Sequence, residues 1–156
     1  MKHTFFYGFA IIAIGSLLYL NFLHDKKRDA NVEVISTDKA PKPIGPYSQA
    51  IRKGNAFFVS GQVGINPQTN SLDTTSISAE TKQTMENIKA ILTEAHLSMN
   101  DISKTTIYLT DIKNFKTVNE IYAAYFGEGP FPARETVEVS ALAKGCHIEI
   151  SVIAVK

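Results

Sequence analysis

The nine residues near the end of the chain, His147-Ile-Glu-Ile-Ser-Val-Ile-Ala-Val155, decide the fold. Alternate residues of a strand share one face, and one of the two rows here is apolar throughout. This row is expected to lie under helices. The other row begins with His147 and Glu149 and ends in apolar residues, so it is too hydrophobic for open water yet carries a carboxylate. Two helices cannot cover both faces of a sheet, so we expect an oligomer with a site at the subunit interface.

Patterning over the preceding residues predicts the order strands, helix, strand, helix and two strands. One amphipathic helix is predicted from about residue 79 with Ser78 as its N-cap, and a second over 115–126 between Asn114 as cap and Gly127 as stop. The strands are predicted at 32–36, 47–52, 56–63, 104–110, 134–140 and 147–155, with loops at 40–46 and 66–75. This order is typical of an α+β sheet with both helices on one face.

Composition excludes several classes of protein. The 156 residues include 16 Lys and Arg, 15 Asp and Glu and a single cysteine, which rules out a disulfide framework, a Cys-rich zinc site and a CxxC redox motif. Residues 30–156 hold 12 basic and 13 acidic residues, a net charge of −1. No basic patch is present in them, so nucleic acid is not expected as a partner.

The N-terminal segment is uncharged from Phe5 to Leu23. As a helix, residues 4–23 would span about 30 Å, the thickness of the hydrocarbon core of a bilayer. The sequence therefore predicts a membrane anchor over 1–24, a charged linker over 25–31 and a folded domain over 32–156.

The alternative to an anchor is a cleaved secretory signal, whose apolar region is normally shorter and ends at a small-x-small site. Lys26, Lys27 and Arg28 follow the apolar run, whereas only Lys2 and the amino terminus precede it. Counting basic residues therefore predicts a single-pass membrane protein with its domain on the cytoplasmic side, and signal cleavage would instead leave the domain exported.

Arg134 and Glu149 are the first candidate functional residues. Each alone has an ordinary explanation, since most charged residues of strands are solvated. Together with the rigid Gly45-Pro46-Tyr47 loop, they suggest a guanidinium that holds a carboxylate at two points and a carboxylate that positions a water.

Four motifs resemble the RidA (YjgF) family of enamine/imine deaminases. They are Ile44-Gly-Pro-Tyr-Ser-Gln49, Val59-Ser-Gly-Gln62, Phe131-Pro-Ala-Arg134 and Ile148-Glu-Ile150. The stretches Asp101-Ile-Ser-Lys-Thr-Thr106 and Phe115-Lys-Thr-Val-Asn119 also match the family pattern. The resemblance covers residues 33–155 and leaves the N-terminal segment outside.

This resemblance implies a chorismate-mutase-like α+β fold assembled as a homotrimer, with three clefts at the subunit interfaces. It implies hydrolysis of enamines and imines such as 2-aminoacrylate to 2-oxo acids and ammonia, without metal or organic cofactor. By position, Arg134 would bind the substrate carboxylate and Glu149 would orient or activate the water. The remaining residues implied to form the cleft are Tyr47, Ser60, Gly61 and Thr136.

The sequence departs from the family pattern at two positions. Thr136 stands where bacterial members often have a cysteine, which excludes a mechanism that needs a thiol there. Glu135 stands where a small residue is common; it is either a solvated strand residue or a charge that steers the guanidinium or repels an anionic ligand. His147 and Glu149 on one face are too few ligands for a metal site, and Cys146 is expected to be a small buried residue.

Two other functions remain open. The same cleft in a membrane-tethered, non-catalytic module would bind a small carboxylate and act in regulation. Ribonuclease activity, ascribed to some relatives, is disfavoured by the net charge of −1.

Overall fold

The last strand lies at the centre of the fold, as its alternation predicts. The computed structural model describes residues 32–73 and 75–156, and Ile148–Val155 is a strand with buried and partly exposed residues in strict alternation. Ile148, Ile150, Val152 and Ala154 are all buried. We call the side of the sheet that carries this row the helix-covered face, and the side that carries Glu149 the open face.

The described residues form eight strands in two sheets. In chain order they are β1 (Val32–Ile35), β2 (Ala50–Lys53), β3 (Ala56–Val63), β4 (Ile65–Asn66), β5 (Ser71–Leu72), β6 (Ile102–Leu109), β7 (Ala133–Glu138) and β8 (Ile148–Val155). The large sheet has the order β1-β2-β3-β8-β6-β7. It is mixed, because β7 runs parallel to β6 whereas β8 is antiparallel to both β3 and β6.

The first helix, α1 (Ile77–Glu94), begins two residues earlier than the sequence predicts. Its N-cap is Ser76, whose Oγ accepts a hydrogen bond from the backbone N–H of Ala79 at 3.1 Å. The prediction of Ser78 as cap is therefore wrong. The prediction that this helix is amphipathic is confirmed, since its apolar residues Met85, Ile88 and Leu92 are buried in the core.

The second helix, α2 (Phe115–Ala123), is three residues shorter than predicted, and Asn114 precedes it without making a side-chain capping bond. Val118 and Tyr122 are its buried residues. The Tyr122 hydroxyl bonds Oγ1 of Thr105 on β6 at 2.9 Å, and α2 packs against α1, which in turn packs on β3 and β8. Both helices thus lie on one face, which confirms the predicted layering.

The segment predicted as the loop 66–75 contains a small hairpin. Its strands β4 and β5 pair Ile65 with Leu72 and Asn66 with Ser71. Strands of two residues carry no recognisable alternation, so the pattern gives no signal for them.

The predicted anchor (1–24) and linker (25–31) lie outside the described residues. Among the helices of 32–73 and 75–156, none is long and apolar enough to cross a membrane. The longest, α1, has 18 residues, and charged side chains such as Glu86 and Lys89 interrupt it.

Candidate functional site

Four of the predicted site residues line one cavity of about 350 Å³. They are Tyr47, Ser60, Gly61 and Glu149. Ser60 and Gly61 belong to β3, Glu149 to β8, and Tyr47 to the loop before β2. In the pairing of β3 with β8, Val63 is in register with Glu149. This pairing places Ser60 and Gly61 near Glu149.

The wall opposite the sheet is the proline-rich loop, and Gln49 holds it in place. This side chain is only 2% exposed. Its Nε2 lies within hydrogen-bonding distance of the carbonyl oxygens of Thr37, Ala40 and Pro41, at 3.0, 3.1 and 2.9 Å, and its Oε1 accepts from the Thr37 N–H at 2.7 Å. These hydrogen bonds fix the proline-rich loop, which has few backbone hydrogen bonds of its own. The sequence did not reveal this role of Gln49, although Gln49 is the last residue of the motif Ile44-Gly-Pro-Tyr-Ser-Gln49.

Tyr47 and Ser60 shape the mouth of the cavity. The Tyr47 hydroxyl accepts a hydrogen bond from the Ile44 N–H at 3.2 Å, and the ring is 49% exposed. Ser60 donates from Oγ to the carbonyl of Ser48 at 2.7 Å. That hydroxyl is therefore engaged in joining β3 to the loop.

Glu149 lies tightly against Gly61. A Cβ placed on Gly61 would lie 2.7 Å from Cδ of Glu149, so only glycine leaves room for the carboxyl group. The register between β3 and β8 shifts between Val59 and Gln62, which is the kind of irregularity that redirects side chains near sites. Burial raises the pKa of Glu149 above the ordinary carboxyl value, which favours a group that accepts a proton near neutral pH.

Arg134 lies in a second, separate cavity of about 340 Å³. Its Nη2 donates to Oδ1 of Asn119 at 2.8 Å, and its Cζ lies 4.8 Å from the ring centroid of Tyr122 and 5.8 Å from that of Phe115. All three partners belong to α2. The hydrogen bond to the Asn119 side-chain oxygen and the two aromatic rings fix the guanidinium. Its other N–H groups are left to bind a planar anion. Tyr122 is also a core residue, 2% exposed, and its role beside Arg134 was not evident from the sequence.

The structure does not bring Arg134 and Glu149 together within one chain. Arg134 is in register with Thr105, which is fully buried under the helices, so it lies on the helix-covered face. Glu149 lies on the open face, in register with Tyr108. Thr136 shares the face of Arg134 and lies opposite Ile107, with its Oγ1 buried and unpaired among the described residues. The predicted site is thus divided into two groups by the sheet.

Two residues that neighbour the predicted site residues make contacts of their own. Glu135 points away from Arg134: it accepts a hydrogen bond from Thr106 Oγ1 at 2.7 Å and pairs with Lys104 Nζ at 3.1 Å, so it does not steer the guanidinium. The Thr106 bond, followed by Lys104, lowers the pKa of Glu135. His147 precedes β8, and its Nδ1 lies 2.9 Å from Oε2 of Glu80.

Cys146 is buried, as predicted. Burial, with Glu80 and Glu149 nearby, raises the pKa of its thiol to about 11. Within 32–73 and 75–156, no group of three His, Cys, Asp or Glu side chains is arranged to hold a metal ion. The absence of a metal and of a cofactor stays a prediction.

A mixed α+β sheet with two helices on one face and a carboxylate cavity beside a proline-rich loop defines a RidA-type protein. A family model described as Endoribonuclease L-PSP matches residues 37–156, and the chain belongs to this family. The RidA resemblance is thereby confirmed, and with it the predicted α+β fold with a mixed sheet and two helices. The predicted domain boundaries stay a prediction.

Known relatives support this assignment. A RutC family protein of Pyrococcus abyssi is 55% identical over 124 residues, which span 80% of this chain and 97% of the relative. The mouse protein named 2-iminobutanoate/2-iminopropanoate deaminase is 45% identical over 124 residues, 80% of this chain and 91% of its own. The crystal structure of Escherichia coli TdcF with bound serine is 39% identical, with a TM-score of 0.76, and covers 80% of this chain and 98% of TdcF.

The match also corrects the predicted membrane location. The domain alone accounts for 97% of the Pyrococcus abyssi relative, which leaves no room there for a counterpart of residues 4–23. This finding shows that the single-pass membrane location, with the domain on the cytoplasmic side or exported after cleavage, was the wrong prediction. It rested on the length of the apolar run and on the count of basic residues beside it, and neither of these distinguishes an anchor from other apolar segments.

Proposed function

We propose that this protein hydrolyses 2-imino and 2-enamino acids, such as 2-aminoacrylate, to 2-oxo acids and ammonia, at a site shared between two copies of the chain. One observation carries the proposal. Glu149, with its raised pKa, and the clamped Arg134 are the two groups that the chemistry needs, and they lie on opposite faces of the sheet. A second copy can supply the missing partner to each. The mouse relative's name supports the same reaction.

The reaction asks little of the protein, because the carbon of an imine is already electrophilic. Arg134 binds the substrate carboxylate at two points through the N–H groups that Asn119 leaves free. Glu149 holds a water and accepts its proton as the water oxygen bonds to the imine carbon. That proton passes to the nitrogen and gives a carbinolamine. The hydroxyl proton of the carbinolamine then moves through Glu149 to the same nitrogen as the C–N bond breaks, so ammonia leaves and the carbonyl forms. An enamine such as 2-aminoacrylate enters this sequence after it tautomerises to the imine, by moving one proton from nitrogen to C3.

A homotrimer would create three such shared sites. The open face carries Phe58, Val137 and Val155, exposed by 41%, 41% and 46%. Both helices lie on the other face, so these apolar residues have no cover within the described chain. Contact with further copies would bury them and bring β7, the edge strand that holds Arg134, to a neighbour's cavity.

The test measures ammonia and 2-oxo acid released from freshly generated 2-aminoacrylate, above the rate in buffer. The wild type should accelerate release, and Arg134→Ala should lower kcat/KM about 100-fold, the loss of about 3 kcal/mol expected for a charge-assisted anchor. Arg52→Ala is the matched control, because Arg52 also lies over a ring, Phe57, at 5.5 Å but lines neither cavity. Wild-type release no faster than buffer would refute the proposal.

A second candidate is a non-catalytic module that binds small carboxylates. The observation in its favour is the serine bound in the solved TdcF structure. Calorimetric binding of 2-oxobutyrate, lost in Arg134→Ala and accompanied by no turnover of 2-aminoacrylate, would favour this candidate. The family description names an endoribonuclease, but the net charge of −1 over residues 30–156 offers RNA no electrostatic attraction, and no nucleic acid partner is proposed.

A further inference from the structure

Glu80 is a fully buried carboxylate that the proposed reaction does not use. It lies in the first turn of α1, and its side chain has no exposed surface. A buried carboxylate is costly unless several donors satisfy it, and each of its donors is remote in sequence, 67 or 68 residues away. The position therefore does more than complete the helix.

The donors to Glu80 are the two residues that come directly before Glu149. Oε1 accepts from the backbone N–H of His147 at 2.6 Å and from that of Ile148 at 3.2 Å, and Oε2 lies 2.9 Å from Nδ1 of His147. The pairing of β3 with β8 ends at Val63 and Glu149. Both N–H groups thus lie beyond the last pair of β3 with β8, although Ile148 is still in register with Leu109 of β6. The Glu80 side chain takes over where the pairing with β3 stops.

The end of β3 also lies close to Glu80. A Cβ on Gly64, just after β3, would lie 2.8 Å from the backbone oxygen of Glu80 and 2.9 Å from its Cα. The end of β3 and the start of β8 therefore both rest on the first turn of α1. Since Glu149 already fills the space above Gly61, a small displacement of β8 would move its carboxyl group off its place.

We propose that Glu80 is a positioning residue for Glu149: by binding the N–H groups of His147 and Ile148 it sets where the proposed base lies. The inference rests on the proposed function. Catalysis depends on such placement, because an error of about 1 Å costs about 100-fold in rate. Arg134 binds the substrate from β7 and is held by α2, so substrate binding should be insensitive to Glu80.

The experiment compares kcat and KM for 2-aminoacrylate among full-length variants of Glu80. Glu80→Ala should lower kcat by about tenfold to 100-fold and change KM by less than about threefold, since the base moves and the anchor does not. Glu80→Gln should restore most of kcat, because its amide oxygen still accepts from both N–H groups. Glu80→Asp, which is one methylene shorter, should behave like Glu80→Ala and serves in its place if that variant does not fold.

Thr84→Ala is the matched control. Thr84 is equally buried one turn further along α1, but its hydroxyl bonds only the carbonyl of Glu80 within the helix. It should lower the melting temperature and leave kcat at the wild-type value. The proposal is overturned if a folded Glu80→Ala or Glu80→Asp variant keeps wild-type kcat, if Thr84→Ala loses kcat to the same extent, or if Glu80→Gln shows no rescue. A wild type without turnover would refute the proposed function and this inference together, whereas an active wild type with unimpaired Glu80 variants refutes this inference alone.

Discussion

Two inactive variants should restore each other when they are mixed in one oligomer. Arg134→Ala lacks the substrate anchor, and Glu149→Gln lacks the base. Because these residues lie on opposite faces of the sheet within one chain, each proposed site takes Arg134 from one copy and Glu149 from another. A mixed assembly therefore contains some sites in which both residues are native.

The size of the recovery follows from this division. In a random 1:1 mixture, an intact site needs its Arg134 from a Glu149→Gln chain and its Glu149 from an Arg134→Ala chain. Each condition is met in half of the cases, so about one quarter of the sites should recover. Each variant alone should retain about 1% of wild-type kcat/KM or less, so the recovery is easy to detect.

The assay denatures and refolds the two variants together and measures 2-oxo acid release from 2-aminoacrylate. The wild type mixed 1:1 with the double variant is the internal control, and should retain about one quarter of wild-type activity for shared sites but about one half for sites within one chain. No activity beyond the sum of the separate variants would refute the shared site.

Four further outcomes are expected. Gly61→Ala should abolish turnover, because its Cβ would lie 2.7 Å from Cδ of Glu149. Gly54→Ala is the control, since Gly54 lies in a turn at φ +61 with nothing within 4 Å of an added Cβ. It should cost about 1 kcal/mol of stability in denaturant unfolding and leave the rate unchanged. Since burial raises the pKa of Glu149, its ionised form is lost as pH falls through that pKa, so the acid limb of the kcat profile should lie above the ordinary carboxyl value. Because the pKa of Glu149 is higher in the folded than in the unfolded chain, the ionised side chain destabilises the folded state at neutral pH. Glu149→Gln should therefore raise the melting temperature at pH 7, and the difference from the wild type should disappear in acid. Asn119→Ala should lower kcat/KM about tenfold through KM, because Arg134 loses a charge-assisted bond that orients it.

The elements of the fold were largely predictable because their patterns are long. The alternation of β8 and the stripe of α1 each extend over several repeats, so both were recognisable from periodicity alone. Their ends were not. Ser76 and Ser78 are equally good cap residues in sequence, and the backbone geometry of the described chain selected Ser76. The hairpin of β4 and β5 was missed because two-residue strands have no period.

The membrane prediction was wrong for a related reason. Residues 4–23 are apolar and long enough to span a bilayer, but hydropathy describes a segment and not the location of the domain that follows it. The Pyrococcus abyssi relative, 97% of which is matched by the domain, decided against the prediction.

The sequence by itself determined the fold class, the family and the identity of the proposed site residues, because each depends on residue types in a fixed order. Tyr47, Ser60, Gly61 and Glu149 indeed line one cavity. Only the tertiary structure showed that Arg134 lies on the other face of the sheet, and that Glu80 holds the residues before Glu149 from 67 positions away. Which face a strand residue occupies depends on the register of its partners, and a long-range hydrogen bond depends on how elements pack. Neither is recorded in local sequence, so the placement of Arg134 and Glu149 on opposite faces of the sheet and the buried support of β8 became visible only in three dimensions.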